Sequence, residues 1–369
     1  MQTKTNKINA NQLCAILIAL LMAMRPIVRP SVQTSIAQND AWISCLIGMI
    51  INSGMAIVLC YIAYLNPNKS FAEILKDCLG LVVAKILLVL LFVFFLFKLI
   101  IIDYEMESFL YETLYIDINW EIFILPIYLT FCYMATKTMR TMGRVAQFFL
   151  PFALIALLLS IVFSIPSWNF SNLLPVMDHS YNTILKSIYY ALIQSGEFLF
   201  VAVFMENILS NEKKFFKKIG FSLLGVSVLV TGFYIVYISA FGNLAQFIKE
   251  GLVRVTQVSL HASTLFKIDA FVSIMWIPIV ILEAALCVYS ISWCLNKAFN
   301  LKFYIGILLT FIIIYGIRLI PQISTQDLLS LFLNSAGIVV LLLELLVPII
   351  VLIITTIKNS KRGQNEKNI

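Results

Sequence analysis

Charge is scarce in this sequence: only 12% of its 369 residues are charged, whereas 61% are hydrophobic. A soluble domain carries about 25% charged and about 45–50% apolar residues. No water-soluble fold of this length can hide so much apolar surface, but a lipid bilayer accepts it. The composition therefore predicts an all-α membrane protein, with one transmembrane domain over residues 1–357 and a polar cytoplasmic tail over residues 358–369.

Motifs for metals and catalysis are missing as well. The two histidines, His179 and His261, fall in predicted loops, and the seven cysteines include no Cys-x-x-Cys pair. Most of the cysteines lie in apolar runs and are expected to be small buried hydrophobes rather than zinc ligands or disulfides. There is no P-loop, Gly-x-Gly-x-x-Gly, His-Glu-x-x-His or nucleophile elbow. We therefore expect no enzyme, no cofactor and no metal site.

Apolar runs, by contrast, are abundant. A transmembrane helix needs about 20 mostly apolar residues. Ten windows meet this requirement: 12–32, 41–64, 81–104, 120–136, 145–165, 183–209, 219–242, 270–295, 303–320 and 333–357. The first is expected to be a retained span rather than a cleaved signal peptide, because Arg25-Pro26 follows its apolar stretch without a small-residue cleavage site.

The formal charge of +7 is explained by membrane topology rather than by nucleic acid. With both termini cytoplasmic, 17 of the 26 Lys and Arg residues lie on inner segments. Only Lys249, Arg254 and Lys267 then lie on outer segments, all in one loop. Because basic residues concentrate in cytoplasmic loops, the sequence predicts ten spans with both termini inside and no nucleic-acid partner.

The sequence also predicts the structure of two outer segments and of the C-terminal tail. Apolar residues from Leu244 to Val255 recur at helical spacing, which predicts a short amphipathic helix that is either a lid or an interfacial helix. Glu105, Glu107 and Glu112 are expected to form a solvated outer loop. The polar tail after Lys358 is expected to be disordered.

Several short motifs follow one another along the chain. The motifs, in order, are Gln38-Asn39-Asp40-Ala41-Trp42-Ile43-Ser44, Ser171-Asn172-Leu173-Leu174-Pro175-Val176, Ser195-Gly196-Glu197, Lys213-Lys214, and Lys267-Ile268-Asp269 with Trp276 and Tyr289. In this order and spacing, over essentially the whole chain, they resemble the B subunit of bacterial spore-germination nutrient receptors, also called endospore germination permeases.

The resemblance implies a fold like that of amino-acid/polyamine/organocation transporters, built from two inverted five-helix repeats over roughly 12–165 and 183–357. It also implies an integral protein of the bacterial cell membrane, in the inner membrane of the spore, beside an A subunit and a lipoprotein C subunit. Such complexes sense small nutrients, often amino acids, and trigger germination.

Two stretches depart from the family pattern. Relatives often have a glycine-containing break in the first span, whereas this chain has Met22-Ala23-Met24-Arg25-Pro26-Ile27-Val28-Arg29-Pro30. Its two prolines still favour a break, but two arginines replace the glycines. Glu283 stands where relatives often carry a basic or neutral residue, so no ligand identity is carried over from a relative.

Ionisable residues within spans are costly and are candidates for function. Five of them fall on spans one, three, six and eight, which surround the central site of the inverted-repeat fold: Arg25, Arg29, Lys98, Glu197 and Glu283. Three interpretations stay open, namely a ligand pocket, a self-neutralising salt-bridge network, and snorkelling to the outer surface, for which Arg29 is the best candidate.

The predicted ligand-binding residues are Met24, Arg25, Pro26, Lys98, Ser195, Gly196, Glu197, Trp276 and Glu283. We expect helix breaks at Met24–Pro26 and Ser195–Glu197, although Gly196 is also compatible with close helix packing. Trp276 and Tyr289 are expected to serve packing more than ligand contact. We expect Arg25 and Glu197 to hold the charged ends of an amino acid and to pair with each other, or with Lys98 and Glu283, without ligand.

Three functions are compatible with the sequence. The family motifs favour a membrane subunit of a germinant receptor that senses a small nutrient, with an amino acid as the expected kind. The alternatives are an active amino-acid transporter coupled to protons or sodium, and a scaffold or ion-conducting subunit without a nutrient site. The expected contacts are the A and C subunits, a small nutrient and membrane lipid.

Overall fold

The structure is a computed structural model, and it describes residues 6–27, 29–114, 120–210, 212–258, 268–319 and 336–367. These residues are almost entirely helical, and the extended contact found among them is an isolated parallel bridge between Ile8 and Ile208. His261 and Lys267 lie outside the described residues. The all-α prediction is confirmed.

The α-helices are α1 Ala10–Ala23, α2 Arg29–Ala37, α3 Ala41–Leu65, α4 Phe71–Leu79, α5 Leu81–Leu114, α6 Trp120–Ala135, α7 Met139–Ser164, α8 Tyr181–Ile193, α9 Leu199–Val203, α10 Phe215–Phe241, α11 Gly251–Gln257, α12 Ile268–Phe299, α13 Phe303–Arg318, α14 Gly337–Leu341 and α15 Val347–Lys367. A π-helical turn, Leu342–Leu346, joins α14 to α15.

These helices group into the ten predicted spans. Six segments of the described chain are long and apolar enough to cross a membrane, and they contain α3, α5, α7, α10, α12 and the α14–α15 pair. Three shorter apolar helices, α1, α6 and α13, belong to spans one, four and nine. Spans one and six are each built from two pieces, α1 with α2 and α8 with α9. The short α4 lies between spans two and three.

Span three is longer than the window 81–104 predicted from the sequence. The prediction that the acidic residues after this window form a solvated outer loop is wrong. Helix α5 continues to Leu114, so Glu105 and Glu107 are helical. Glu105 is buried, and Glu107 shares Arg318 with Asp103, whose Oδ2 lies 2.7 Å from Arg318 Nε. Ion pairing with span nine keeps this acidic segment folded where composition alone indicated solvation. The backbone of Glu112 is helical too.

Spans three and eight form the centre of the bundle. Helix α12 packs most extensively on α5, and it also contacts α6, α7 and α13. Large side chains of both helices are fully buried, among them Phe95 and Trp276. The two helices therefore form a packed wall against which the pieces of spans one and six are placed.

Two of the motifs in the family resemblance meet in space. Asp40, at the start of span two, is buried and accepts hydrogen bonds from the backbone N–H of Met177 at 2.7 Å and from His179 Nδ1 at 3.1 Å. Asn39 donates to the carbonyl of Pro175. The loop before span six is thus anchored on span two, which explains why polar residues occur at both places.

The outer segment after α10 differs from the single amphipathic helix that was predicted. It forms a 3₁₀ turn, Gly242–Phe247, followed by the separate helix α11. Leu252 and Val255 of α11 are fully buried against α7 and α12, whereas Leu244 and Phe247 are exposed. Helix α11 is therefore packed into the bundle, and an interfacial position for it is wrong.

The end of the chain also differs from the sequence prediction. Helix α15 runs through Lys367, so the tail after Lys358 is helical rather than disordered over that length. Lys358 Nζ donates a hydrogen bond to the backbone carbonyl of Asp77 beside α4, which holds the start of this extension.

The orientation of the spans remains a prediction with a direct test. Val176 and Lys214 are both exposed and lie on opposite sides of span six in the predicted topology. We expect Val176→Cys to react with a membrane-impermeant thiol reagent from outside, and Lys214→Cys to react only after the membrane is permeabilised. The unsubstituted chain measures background from its native cysteines. Labelling of both positions from one side would contradict the topology.

Candidate ligand site at two helix breaks

Span one is interrupted where Pro26 follows Arg25. Helix α1 starts with a capping box, in which Asn9 and Gln12 satisfy each other's backbone N–H groups, and it ends at Ala23. Pro26 has no N–H to continue the helical hydrogen bonding, and the turn from Met24 to Ile27 separates α1 from α2. The break predicted at Met24–Pro26 is confirmed.

Span six is interrupted at Gly196. Helix α8 ends at Ile193, and α9 starts only at Leu199. Gly196 has a φ of +61°, a conformation that side-chain-bearing residues rarely adopt. A Cβ at this position would also collide with Glu344 Oε1 and Phe94 Cζ. The break predicted at Ser195–Glu197 is confirmed, and both its backbone conformation and the close packing call for glycine.

Gly196→Ala is therefore expected to destabilise the protein. The left-handed conformation costs an alanine about 1–2 kcal/mol, and overpacking a filled site typically costs about 1–3 kcal/mol. We expect a clear fall in the thermal unfolding midpoint of the purified chain in detergent. Gly220→Ala is the matched control, since a Cβ at this helical glycine meets nothing within 4 Å and should leave the midpoint unchanged or raise it slightly. Equal midpoints for the two variants would show that the break tolerates a side chain.

Glu197 is the centre of a buried ionic cluster that the two breaks bring together. Its Oε2 lies 2.9 Å from Arg25 Nη2. Its Oε1 lies 3.0 Å from Arg29 Nη1 and 3.1 Å from Lys98 Nζ. Arg25 Nη2 also donates to Ser195 Oγ at 2.7 Å. Charges this deeply buried need partners, and three cations on spans one and three supply them to one carboxylate on span six.

Glu283 extends the cluster from span eight. Its Oε1 lies 3.4 Å from Lys98 Nζ, and it is buried like the other members. The predicted pairing among Arg25, Glu197, Lys98 and Glu283 is confirmed. Snorkelling of Arg29 is wrong, because this side chain is buried and bound to Glu197.

The carbonyl groups freed by the breaks are taken up by neighbouring groups. Trp276 Nε1 donates to the carbonyl of Ala23 at 2.6 Å, and the backbone N–H of Gly251 donates to the carbonyl of Ile27 at 2.6 Å. Lys98 Nζ donates to the carbonyl of Ser195 at 2.7 Å. Trp276 thus positions the break of span one, beyond the packing role expected for it. Tyr289 packs on Phe303 with ring centroids 4.9 Å apart.

The cluster nevertheless leaves polar atoms unused. Within the described residues, Nε of Arg25 and Nε of Arg29 are buried donors without a hydrogen-bond partner. Oε2 of Glu283 and Oε1 of Gln194 are buried acceptors without a hydrogen-bond partner. Because nearly all buried polar atoms in proteins are paired, these donors and acceptors are available to a further polar group.

A small cavity opens beside the cluster. It is lined by Arg29, Phe94, Lys98, Ile101, Ile102, Glu105, Ile193, Gln194 and Ser195. Its volume is about 20 Å³, which is room for about one water molecule. In this closed arrangement, with the ion pairs formed, the cavity has no room for a molecule as large as an amino acid.

Two residues of this region were missed by sequence reasoning. Glu105 of span three is buried beside Arg29 and Lys98, although it was assigned to a solvated loop. Glu344 of span ten is buried against Gly196. The signal for Glu344 was available, since it is a single acid near the centre of the window 333–357 and ionisable residues within spans are functional candidates.

The described helices and this site define a membrane protein of transporter architecture, in which two broken helices meet at buried charges. The crystal structure of MhsT in complex with L-phenylalanine is similar to this chain, with a TM-score of 0.62 and 14% identity over 94% of this chain and 97% of MhsT. This likeness shows the LeuT-type fold of inverted five-helix repeats. A comparison with curated proteins gave no match.

The chain belongs to the family described as spore germination protein, whose model matches residues 7–327. Members of this family with this fold are integral membrane proteins and not enzymes. The match covers both helix breaks and every charged residue of the cluster except Glu344.

Proposed function

We propose that this chain is the membrane subunit of a germinant receptor, and that it senses a small zwitterionic nutrient such as an amino acid at the two helix breaks. The observation that carries the proposal is the cluster around Glu197, which is closed by ion pairs yet retains unused buried donors and acceptors. A nutrient with one carboxylate and one ammonium group supplies the missing partner of each kind.

The nutrient's carboxylate is assigned to Arg25. A guanidinium group presents a planar set of donors that matches a carboxylate, and Nε of Arg25 has no partner among the described residues. Met24 and Pro26 flank Arg25 at the break. Lys98, Ser195 and Gly196 lie across from Arg25 at the break of span six, and Trp276 holds the end of α1 through its hydrogen bond to the carbonyl of Ala23.

The nutrient's ammonium group is assigned to Glu197, with Glu283 beside it. Both side chains are buried and face Lys98 from different helices. Binding then replaces protein ion pairs by ion pairs to the nutrient, so the ligand stabilises an opened arrangement over the closed one. This exchange offers a way to turn nutrient binding into a change of helix position.

The proposal is tested by nutrient-triggered germination of spores that lack this chain. We expect the response to one nutrient class to be lost and then restored by the intact gene, while germination by other routes stays normal. Uptake of the same radiolabelled nutrient into vesicles that contain the purified chain distinguishes a transporter from a receptor. Substantial uptake together with a normal germination response in the deletion strain would overturn the receptor function.

We further expect the chain to require partner subunits in the inner membrane of the spore, namely the A subunit and the lipoprotein C subunit. Its described loops are short, so it offers little surface to signal to a soluble effector. An affinity tag on this chain should recover both subunits from solubilised spore membranes, and deletion of either should abolish the response. A full nutrient response from this chain alone would contradict this expectation.

A further inference from the structure

Among the buried charges of the site, Glu344 and Glu105 have no ion pair within the described residues, and Glu344 is the one that lies against the break in span six. It lies in the π-helical turn Leu342–Leu346 of span ten, and its side chain is 1% exposed. Its Oε1 is buried and has no hydrogen-bond partner within the described residues. Single π-helical turns inside α-helices occur often at functional sites, and here the turn carries the ionisable residue.

The carboxyl group points at the break in span six. Oε1 of Glu344 and Cζ of Phe94 both occupy the place that a side chain on Gly196 would take. This leaves no room between Glu344 and the Gly196 backbone for an ammonium group or a hydrated metal ion. A proton fits the closed arrangement without moving a neighbour.

The balance of charges in the cluster also supports a proton on Glu344. Its bases are Arg25, Arg29 and Lys98, and its acids are Glu105, Glu197, Glu283 and Glu344. The groups that act electrostatically on Glu344 are Glu197 of span six, Lys98 of span three, and Arg25 and Arg29 of span one.

Those three bases are already bound to Glu197, and no ion pair reaches Glu344 in the described part of the chain. With one carboxyl group protonated, three positive charges face three negative charges. Burying an unpaired carboxylate in an apolar interior is far more costly than burying the neutral acid.

We propose that Glu344 is a proton-binding site that holds its proton in the closed conformation and releases it to water when the break of span six opens. An ionised Glu344 cannot stay packed on Phe94 and the Gly196 backbone without a partner, so deprotonation favours the opened break. The proton thus couples the position of span ten to that of span six. This inference does not depend on which nutrient binds, or on whether any nutrient binds.

Infrared spectroscopy of the purified full-length chain in lipid nanodiscs tests the site without a ligand. We expect the C=O stretching band of a protonated, buried carboxylic acid at neutral pH. Glu344→Gln should remove the band, and Glu344→Asp should keep it at a shifted frequency. Glu206→Gln, which alters a half-buried acid paired with Lys297 at 3.4 Å, should leave it unchanged. Absence of the band in the parent chain, or its persistence in Glu344→Gln, would overturn the proposal.

The coupling between the protonation of Glu344 and the opening of the break in span six is measured by the rate at which a thiol reagent alkylates Gln194→Cys. The alkylated product is quantified at that position. The rate should rise more steeply with pH in the chain that retains Glu344 than in one that also carries Glu344→Gln. Thiolate formation raises the rate in both chains, and the charge of an ionised Glu344 lowers the thiolate fraction, so a rise in the ratio of the two rates reports the opening. We expect this ratio to increase several-fold from neutral to alkaline pH, and a constant ratio would overturn the coupling.

Should Glu344→Gln fail to fold, Glu344→Asp keeps both tests decisive. It must show the shifted infrared band and retain a pH-dependent alkylation rate. A variant that folds and shows neither result would contradict the assignment of the proton to this position.

Discussion

Replacing Glu197 with glutamine is expected to produce the largest loss of stability of any single conservative substitution in this chain. The change keeps the size of the side chain but removes the negative charge that Arg25, Arg29 and Lys98 share. Removing one partner of a buried ion pair typically costs about 3–5 kcal/mol. We expect a loss of about 3 kcal/mol or more, measured by SDS-induced unfolding of the purified chain in mixed micelles.

Glu206→Gln is the control for the Glu197 experiment. Glu206 is paired with Lys297 at 3.4 Å, but both side chains keep access to solvent, with exposures of 30% and 26%. Water can therefore replace the lost partner, and the substitution should change the unfolding free energy far less. A similar loss for both variants would show that Glu197 does not hold the cluster together.

Arg25→Lys is expected to produce the largest change in nutrient response at normal protein levels. Lysine keeps the positive charge, so one ion pair to Glu197 can form again. Its ammonium group cannot present the planar set of donors that lets Arg25 contact Ser195 and Glu197 and still offer Nε to a carboxylate. A hydrogen bond to a charged group contributes about 1.5–3 kcal/mol. The nutrient concentration for half-maximal germination should therefore rise by about 10- to 100-fold.

The control for Arg25→Lys is Arg140→Lys, an exposed arginine at the start of α7. It should leave both the protein level and the nutrient dependence unchanged. Unaltered nutrient dependence in Arg25→Lys and in Glu197→Gln, with both proteins present at normal levels, would show that these residues do not contact the nutrient.

Local sequence signals predicted the two helix breaks well. Pro26 lacks a backbone donor, and Gly196 accepts a left-handed conformation, so each break is a property of a few neighbouring residues. The pairing of Arg25 with Glu197 followed from the family resemblance, because the inverted-repeat fold brings the middles of spans one and six to the same depth.

Long-range pairing was not accessible from the sequence. Glu105 and Glu107 looked solvated because they follow an apolar window and stand near other acids. The burial of Glu105 and the ion pair of Glu107 depend on packing that composition does not report. Glu107, for example, contacts Arg318, which is 211 positions away. Glu344 was missed for another reason: the predicted site comprised spans one, three, six and eight, whereas Glu344 reaches the same break from span ten.

Nutrient protection of the site from a thiol reagent is the most direct test that ligand binds at the two breaks. Gln194→Cys places a thiol on the wall of the cavity beside Lys98, and alkylation at this position is quantified by mass spectrometry in spore membranes. Amino acids that trigger germination of the parent spores should change the alkylation rate at the concentrations at which they trigger germination. Amino acids that do not trigger germination should have no effect. An alkylation rate that is the same with and without the triggering amino acid, while Gln194→Cys spores still respond to it, would contradict a nutrient site at the breaks.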